Sequence, residues 1–338
     1  MKNLAQYIIT RLLLTIPMVF ILLSIVFVVL RVMPGDPVSS MLGGHAPEKV
    51  IEQKKQELGL NRSLAIQYLD YLWQVCRLDL GDSMVFKQRV TKAIAEKIPA
   101  TIELTICGIF ITIFLGVFLG AYAADKRRMV QDYVIRLYGI VVYCIPVYWM
   151  GLMLQLIFGI WLDILPVAGR TGPRVFASTF EKTGLYVLDT ILVMDFSALG
   201  DVLIHLILPA FTLGLVLSGI FIRLTRANML DVLKADYIIA AEARGIHHKK
   251  IVYKYAMKNA LIPILTMMGL QIALLMAGAV LTETTFSWPG MGRLLLERIY
   301  LRDYPTIQGI IIIIALIVAM ASLIVDIIYA IIDPRVRY

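Results

Sequence analysis

Asp236, Glu242 and Arg244 lie in residues 235–265, ADYIIAAEARGIHHKKIVYKYAMKNALIPIL, a polar, basic stretch with apolar runs of membrane length on both sides. The chemistry these residues suit is docking. Residues 236–244 fit a short helix with Ala240, Ala241 and Ala243 on its surface, where small side chains let a partner's backbone come close. Gly245 then fits a helix C-terminus, where a positive φ is needed and glycine takes it without a Cβ clash. Small residues closed by a glycine make a stiff, slim projection. The segment reads as a cytoplasmic helical loop onto which another protein docks; the plainer alternative is an amphipathic surface helix.

Other chemistries are weakly represented. Lys250, Lys254 and Lys258 recur at i, i+4 and i+8 and form one stripe, with Ile251 and Tyr255 as an adjacent apolar one. The stripe suits a partner subunit or, as the stronger reading, anionic headgroups, worth on the order of 1 kcal/mol per base. Cys76, Cys107 and Cys144 form no CxxC pair and no Cys/His cluster, so neither a zinc site nor a disulfide framework is indicated. His247 and His248 point to different faces of a helix, which disfavours a metal there. No G-x-x-x-x-G-K-S/T occurs, nor any Gly-Lys pair, so this chain is not expected to bind ATP through a P-loop. Nucleophile-elbow and HExxH patterns are also missing. The expectation is a chain that is not an enzyme, with no cofactor of its own.

The elements that carry these residues are membrane helices. The chain has 338 residues, 59% apolar and 17% charged, with mean hydropathy +0.81. Soluble domains are nearer half apolar. The first apolar run, residues 12–30, spans roughly 28 Å, about one hydrocarbon thickness. It is too long for a signal-peptide core and is followed by Pro34-Gly35-Asp36-Pro37 in place of a small-x-small cleavage site. Five more runs follow at 101–123, 134–160, 202–222, 261–284 and 306–331. Residues 32–98 form a polar insertion, with helices expected at 47–58, at 63–76 (Ile66, Tyr68, Leu69 and Leu72 at helical spacing) and at 90–97, ending before Pro99. Residues 163–201 and 285–305 are expected as further outer loops. An even number of spans puts both termini on one side. The inner set then holds 16 basic residues against six acids, while longer outer segments hold the other 16 with most of the remaining acids. Short basic loops inside agree with the positive-inside rule, which also explains the net charge of +8 without nucleic acid.

Ionisable residues are sparse within the runs. Asp326 and His205 are the clearest, and an ionisable group costs roughly 2.5–3.5 kcal/mol on insertion scales, so its default reading is functional. For Asp326 a structural pair with a basic residue is an equal alternative. Glu103, Arg136, Arg223 and Glu283 sit near run ends, where snorkelling is expected. The fifth run holds Gln271 with Met267, Met268 and Met276; methionine suits either a passage that accepts varied side chains or helix packing.

Residues 235–265 resemble the coupling loop of ABC importer permeases, whose pattern is Glu-Ala-Ala, three residues, Gly, nine residues, Ile-x-Leu-Pro. Here Ile239-Ala240-Ala241 precedes Gly245 by three residues, and Tyr255-Ala256-Met257-Lys258 follows after nine. The two alanines and the glycine fit; the Glu, Ile, Leu and Pro positions do not. The variant of dipeptide and oligopeptide permeases is more similar, with a basic residue for that proline and then Asn259-Ala260-Leu261-Ile262-Pro263. In chain order come Met33-Pro34-Gly35-Asp36-Pro37, Glu57-Leu58-Gly59-Leu60, Asp79-Leu80-Gly81-Asp82-Ser83 and Ile98-Pro99-Ala100-Thr101-Ile102-Glu103-Leu104. Glu283-Thr284-Thr285-Phe286-Ser287-Trp288-Pro289-Gly290, Arg302-Asp303-Tyr304-Pro305 and Asp333-Pro334-Arg335 follow. Each match is short, but their ordered occurrence from end to end resembles the dipeptide/oligopeptide (nickel) permease family, and within it the first of two permease subunits.

The resemblance implies an all-α integral membrane protein with the type I ABC importer permease fold. It has six transmembrane helices, an extracytoplasmic helical insertion between helices 1 and 2, and a cytoplasmic coupling helix between helices 4 and 5. Its parts are residues 1–31 (the first helix), 32–98 (the insertion) and 99–338 (the permease core, with coupling loop 231–260). Asp236, Ala240, Ala241, Glu242, Ala243, Arg244 and Gly245 are the implied contact with the ATPase. Met267, Gln271, Met276, Phe286 and Trp288 are implied along the translocation path, with the Phe286–Gly290 loop plugging or shaping the outer mouth or anchoring at the interface. Implied partners are a second homologous permease, two ABC ATPase subunits that bind ATP and magnesium, an extracytoplasmic binding protein, a peptide substrate and the inner-membrane bilayer; no nucleic acid is implied. Nickel chelates, haem and glutathione are alternative cargoes. An ion-coupled secondary transporter and a passive channel are the alternatives of other classes.

Overall fold

A computed structural model describes residues 4–32, 47–57, 59–173, 175 and 182–332. The motifs at 33–37 and 333–335, and both chain termini, lie outside the described residues. Regular structure among them is helical, with one isolated bridge between Asp82 and Arg89.

The first apolar run forms α1 (Leu4–Val32), which buries Leu23, Val26 and Phe27 and leaves most other side chains exposed. The insertion supplies α2 (Glu48–Glu57), α3 (Leu64–Cys76) and α4 (Val90–Ala95). α3 is rotated from the expected apolar face: Tyr71 and Val75 are buried, while Ile66 and Leu69 are exposed. Aromatic packing decides this. Phe27 of α1 lies 5.2 Å from the Tyr68 ring and 5.5 Å from the Tyr71 ring, and the Tyr71 hydroxyl donates to the Leu23 carbonyl at 3.2 Å.

α5 (Ile98–Asp125) starts with Pro99 in its first turn, where a missing N–H costs no helical hydrogen bond. It runs along α9 (Phe196–Val232), a helix of 37 residues that starts before and ends after the expected 202–222 run. Glycines make their approach close. A Cβ on Gly116 or Gly120 would strike Phe221 or Thr225, and one on Gly214 would strike Ile111. Small residues at helix interfaces are how spanning helices gain packing without a hydrophobic drive between them.

The expected third span is corrected. It is two helices, α6 (Val130–Cys144) and α7 (Val147–Leu154, continuing as a π-helix over Gln155–Trp161), whose axes differ by 105°. Pro146 is the cause: it lacks an N–H, and it drives Ile145 into extended backbone with φ −80° and ψ 127°.

The expected outer loops contain helices too, α8 (Tyr186–Val193) and α12 (Met291–Tyr300). α10 (Asp236–Ala243) follows α9 after three residues. The chain then passes through one turn, His248–Lys250, and a π-helix, Ile251–Ala256, into α11 (Met257–Thr285). α13 (Tyr304–Ile332) closes the fold beside α1. Among the described residues four helices are long and apolar enough to cross a membrane, or five if the bent pair counts as one. α11, at 29 residues, covers the run expected at 261–284.

Candidate functional site

α10 is short, and its ends are defined by backbone chemistry. Ala235 is extended (φ −71°, ψ 147°), and Asp236 places a carboxylate in the first turn, favourable to the helix dipole. At the other end Gly245 has φ +72°. Its N–H donates to the Glu242 carbonyl at 2.9 Å, and the Ile246 N–H donates to the Ala241 carbonyl at 3.2 Å. This is the Schellman pairing that closes a helix through a left-handed residue. It turns Ile246 back onto the apolar cluster under the helix.

One face of α10 is bound to its own chain. Ile238 and Ala241 pack with Ala121 and Ala124 at the end of α5, Met229 of α9, and Ile251, Val252 and Ala256 of the π-helix. Ala241 was expected on the surface; it is buried because that side of the helix is the floor contact. Asp236, Tyr237, Ile239, Ala240, Glu242, Ala243, Arg244 and Gly245 are exposed. The Asn259 amide donates to the Tyr237 hydroxyl at 2.7 Å, and His248 Nε2 lies 2.6 Å from Asp125 Oδ1. Burial first, then the neighbouring Asp125 carboxylate, push the Tyr253 phenol above its ordinary pKa.

Lys250, Lys254 and Lys258 are all exposed. The adjacent apolar stripe does not form: Ile251 is buried, whereas Tyr255 is 37% exposed. The intervening turn is π-helical, so neighbours there differ from those of a regular α-helix.

The opposite end of α5 carries a second polar assembly. Glu103 and Glu283, expected to snorkel, are buried and fully engaged. Glu103 accepts from Arg170 Nε at 3.0 Å and Nη2 at 2.6 Å, and from the Val187 N–H at 2.7 Å. The Arg170 guanidinium lies 3.5 Å from the Tyr186 ring centroid. Glu283 accepts from the Thr101 hydroxyl and from the N–H groups of Gly292 and Arg293, which start α12. Asp303 is likewise enclosed and accepts from the hydroxyls of Ser83 and Thr306 and the Met84 N–H. Segment 79–83 is thereby tied to 302–305, and segment 98–104 to 283–290. Arg170 was missed because it stands alone in a loop, with nothing in its neighbourhood to name a partner 67 residues away.

The remaining candidates are placed as follows. Met267 is half-buried, and Gln271 is buried with its carbonyl oxygen unpartnered. Met276 is buried, its sulfur accepting from Thr105 at 3.7 Å. Phe286 and Trp288 are enclosed by this chain, and the indole N–H donates to the Ala100 carbonyl at 2.9 Å. Both rings are packed inside the chain and hold the loop to the bundle. Asp326 pairs with Arg11 at 3.5 Å, and His205 Nδ1 lies 2.8 Å from the Asp201 carbonyl.

The chain is similar in sequence to known proteins over nearly its whole length. Residues 116–338 match the family described as binding-protein-dependent transport system inner membrane component, and residues 4–105 match the N-terminal region of such components. The dipeptide transport system permease protein DppB of Alkalihalophilus pseudofirmus is 40% identical over 332 residues, 98% of this chain and 99% of that protein. The protein of the same name from Escherichia coli K12 is 36% identical over 336 residues, again 98% and 99%. The glutathione transport system permease protein GsiC of Pectobacterium atrosepticum is 34% identical over 333 residues, with the same coverage. The chain belongs to the family of binding-protein-dependent transport system inner membrane components.

Proposed function

We propose that this chain is the transmembrane subunit of an ATP-driven importer that carries di- and oligopeptides delivered by an extracytoplasmic binding protein. The observation that carries the coupling role is α10. It presents Ala240, Ala243 and Gly245 on an exposed face while Ile238 and Ala241 tie it to the bundle. Relatives named for dipeptide transport support the cargo.

In this reading six helices span the inner membrane, both termini and the 231–260 loop are cytoplasmic, and residues 32–98 are extracytoplasmic. The chain pairs with a second, similar permease. Two ATPases bind ATP and magnesium and perform the hydrolysis. Their closure draws the coupling helices together and opens the passage to the docked binding protein; the peptide moves inward after hydrolysis. The stretch of α11 with Met267, Gln271 and Met276 borders that passage, and the loop held by Phe286 and Trp288 shapes its outer end.

Reconstitution of the complete complex in proteoliposomes tests this. Uptake of a labelled dipeptide should require ATP and the binding protein. Uptake driven by an ion gradient without ATP would assign the chain to secondary transport. Because one group of relatives is named for glutathione transport, glutathione is the second cargo to test. If glutathione competes with the dipeptide at lower concentration than other tripeptides do, the cargo assignment changes and the machinery does not.

A further inference from the structure

We propose that the His248–Asp125 contact is a mechanical latch through which the coupling segment drives α5 and α9 as one lever, whose far end moves the Glu103–Arg170 clamp. The proposal rests on the importer reading above and adds positioning residues to it.

α10 is joined covalently to only one spanning helix at its N-terminal side, α9, through residues 233–235. Its contact with α5 is otherwise the apolar cluster of Ala121, Ala124, Ile238 and Ala241. Apolar contact is non-directional, and methyl groups of alanine resist sliding poorly. The directional tie is polar. His248 Nε2 meets Asp125 Oδ1 at 2.6 Å, with the Asp125 side chain 8% exposed and itself 3.3 Å from Lys126. Gly245 makes this possible, since its left-handed turn redirects the chain so that His248, three residues on, reaches the last residue of α5.

Beyond the latch the two helices cannot move independently. Side-chain atoms of Phe221 and Thr225 occupy the space where a Cβ on Gly116 and Gly120 would lie, and a Cβ on Gly108 would come within 3.1 Å of Leu213 Cβ. Such interlocked interfaces are bistable, not continuously deformable. The 28 residues of α5 carry any displacement about 42 Å to its other end. There, within its first two turns, Ala100 accepts from Trp288, Thr101 donates to Glu283, and Glu103 holds Arg170 and the start of α8. A displacement at α10 therefore reaches these loops without passing through the bent α6–α7 pair.

The test uses the whole complex, with both ATPases and the binding protein, in proteoliposomes. Peptide imported per ATP hydrolysed is measured for His248→Ala, Asp125→Ala, the double variant and His248→Gln, which keeps a donor for Asp125. Each single alanine variant should lower the ratio about fivefold or more, the lower end of ordinary site-to-site coupling. The double should fall no further than the singles, and His248→Gln should recover most of the loss. Additive losses, or a wild-type ratio in His248→Ala, would overturn the latch. Should His248→Ala fail to retain the ATPases, Asp125→Ala decides alone, since its side chain is buried away from the docking face: an unchanged ratio there refutes the proposal. If the wild-type complex imports nothing with ATP, the importer reading itself has failed, which is a different result.

Discussion

The Thr101 hydroxyl donates to Glu283 Oε1 at 2.6 Å, joining the first turn of α5 to the last turn of α11 across 182 residues of sequence. The same hydroxyl accepts from the Met291 N–H at 2.8 Å, and the other Glu283 oxygen accepts from Gly292 and Arg293. A Cβ on Gly290 would strike the Glu283 carboxylate, so the Trp288-Pro289-Gly290 turn and the acid are one unit.

That unit makes a stability prediction. Thr101→Val removes one donor and one acceptor from a buried site, costing about 1–3 kcal/mol. Glu283→Ala strands three donors and should cost more. Thermal unfolding in detergent should give transitions in the order wild type, Thr101→Val, Glu283→Ala. A Glu283→Ala transition at the wild-type temperature would show that the acid is not structural.

Glu103 and Arg170 should behave as a buried pair. Arg170→Met leaves a carboxylate enclosed without its partner, a loss of about 3–5 kcal/mol. Adding Glu103→Gln should restore part of it. Arg170→Lys should recover little, because lysine supplies neither the forked contact to Glu103 nor the planar face over Tyr186. A double-mutant cycle on unfolding temperatures reads this; strict additivity would mean that the two side chains do not stabilise each other.

How much of this was legible depends on where the information sits. α1, α5, α9 and α13 follow from runs of apolar residues, because burial in lipid needs only composition and length. The Gly245 turn was legible as well, since no other residue takes φ +72° at so little cost. The bend at Pro146 was hidden by unbroken hydropathy on both sides of it. Ala241 could not be assigned to a face because alanine marks neither water nor core. The engagement of Glu103, Glu283 and Asp303 was invisible for another reason: their partners are distant in sequence, and a lone acid near a helix end looks the same whether it meets water or an arginine.

Asp326 and Arg11 give a prediction of near silence. Their side chains are 35% and 41% exposed at a separation of 3.5 Å. Both lie in apolar helices near their ends, where the pair offsets the cost of either charge in the run and asparagine still offers Arg11 an acceptor. Asp326→Asn should express normally and import peptide close to the wild-type rate. Loss of uptake by a normally expressed, ATPase-bound variant would restore a direct transport role for this acid.

Gly245 carries the most discriminating prediction. A Cβ built there meets no atom within 4 Å, so crowding cannot explain a defect. Only the backbone objects: left-handed φ costs an L-residue about 1–2 kcal/mol, less for asparagine and more for a β-branched side chain. Gly245→Asn should therefore keep the turn, Gly245→Ala should weaken it, and Gly245→Val should open it. Opening releases the Ile246 N–H from Ala241 and withdraws Ile246 from the cluster beneath α10, so the helix frays where its exposed small residues lie. The spanning helices pack elsewhere and should insert normally in all three variants. Peptide uptake should fall in the order Gly, Asn, Ala, Val at equal expression, with ATPase co-purification or regulation by the binding protein lost in step. If uptake tracked side-chain volume alone, placing Asn with Val and below Ala, the defect would belong to the docking surface and not to the turn. Full transport by Gly245→Val would remove the coupling role from this helix altogether.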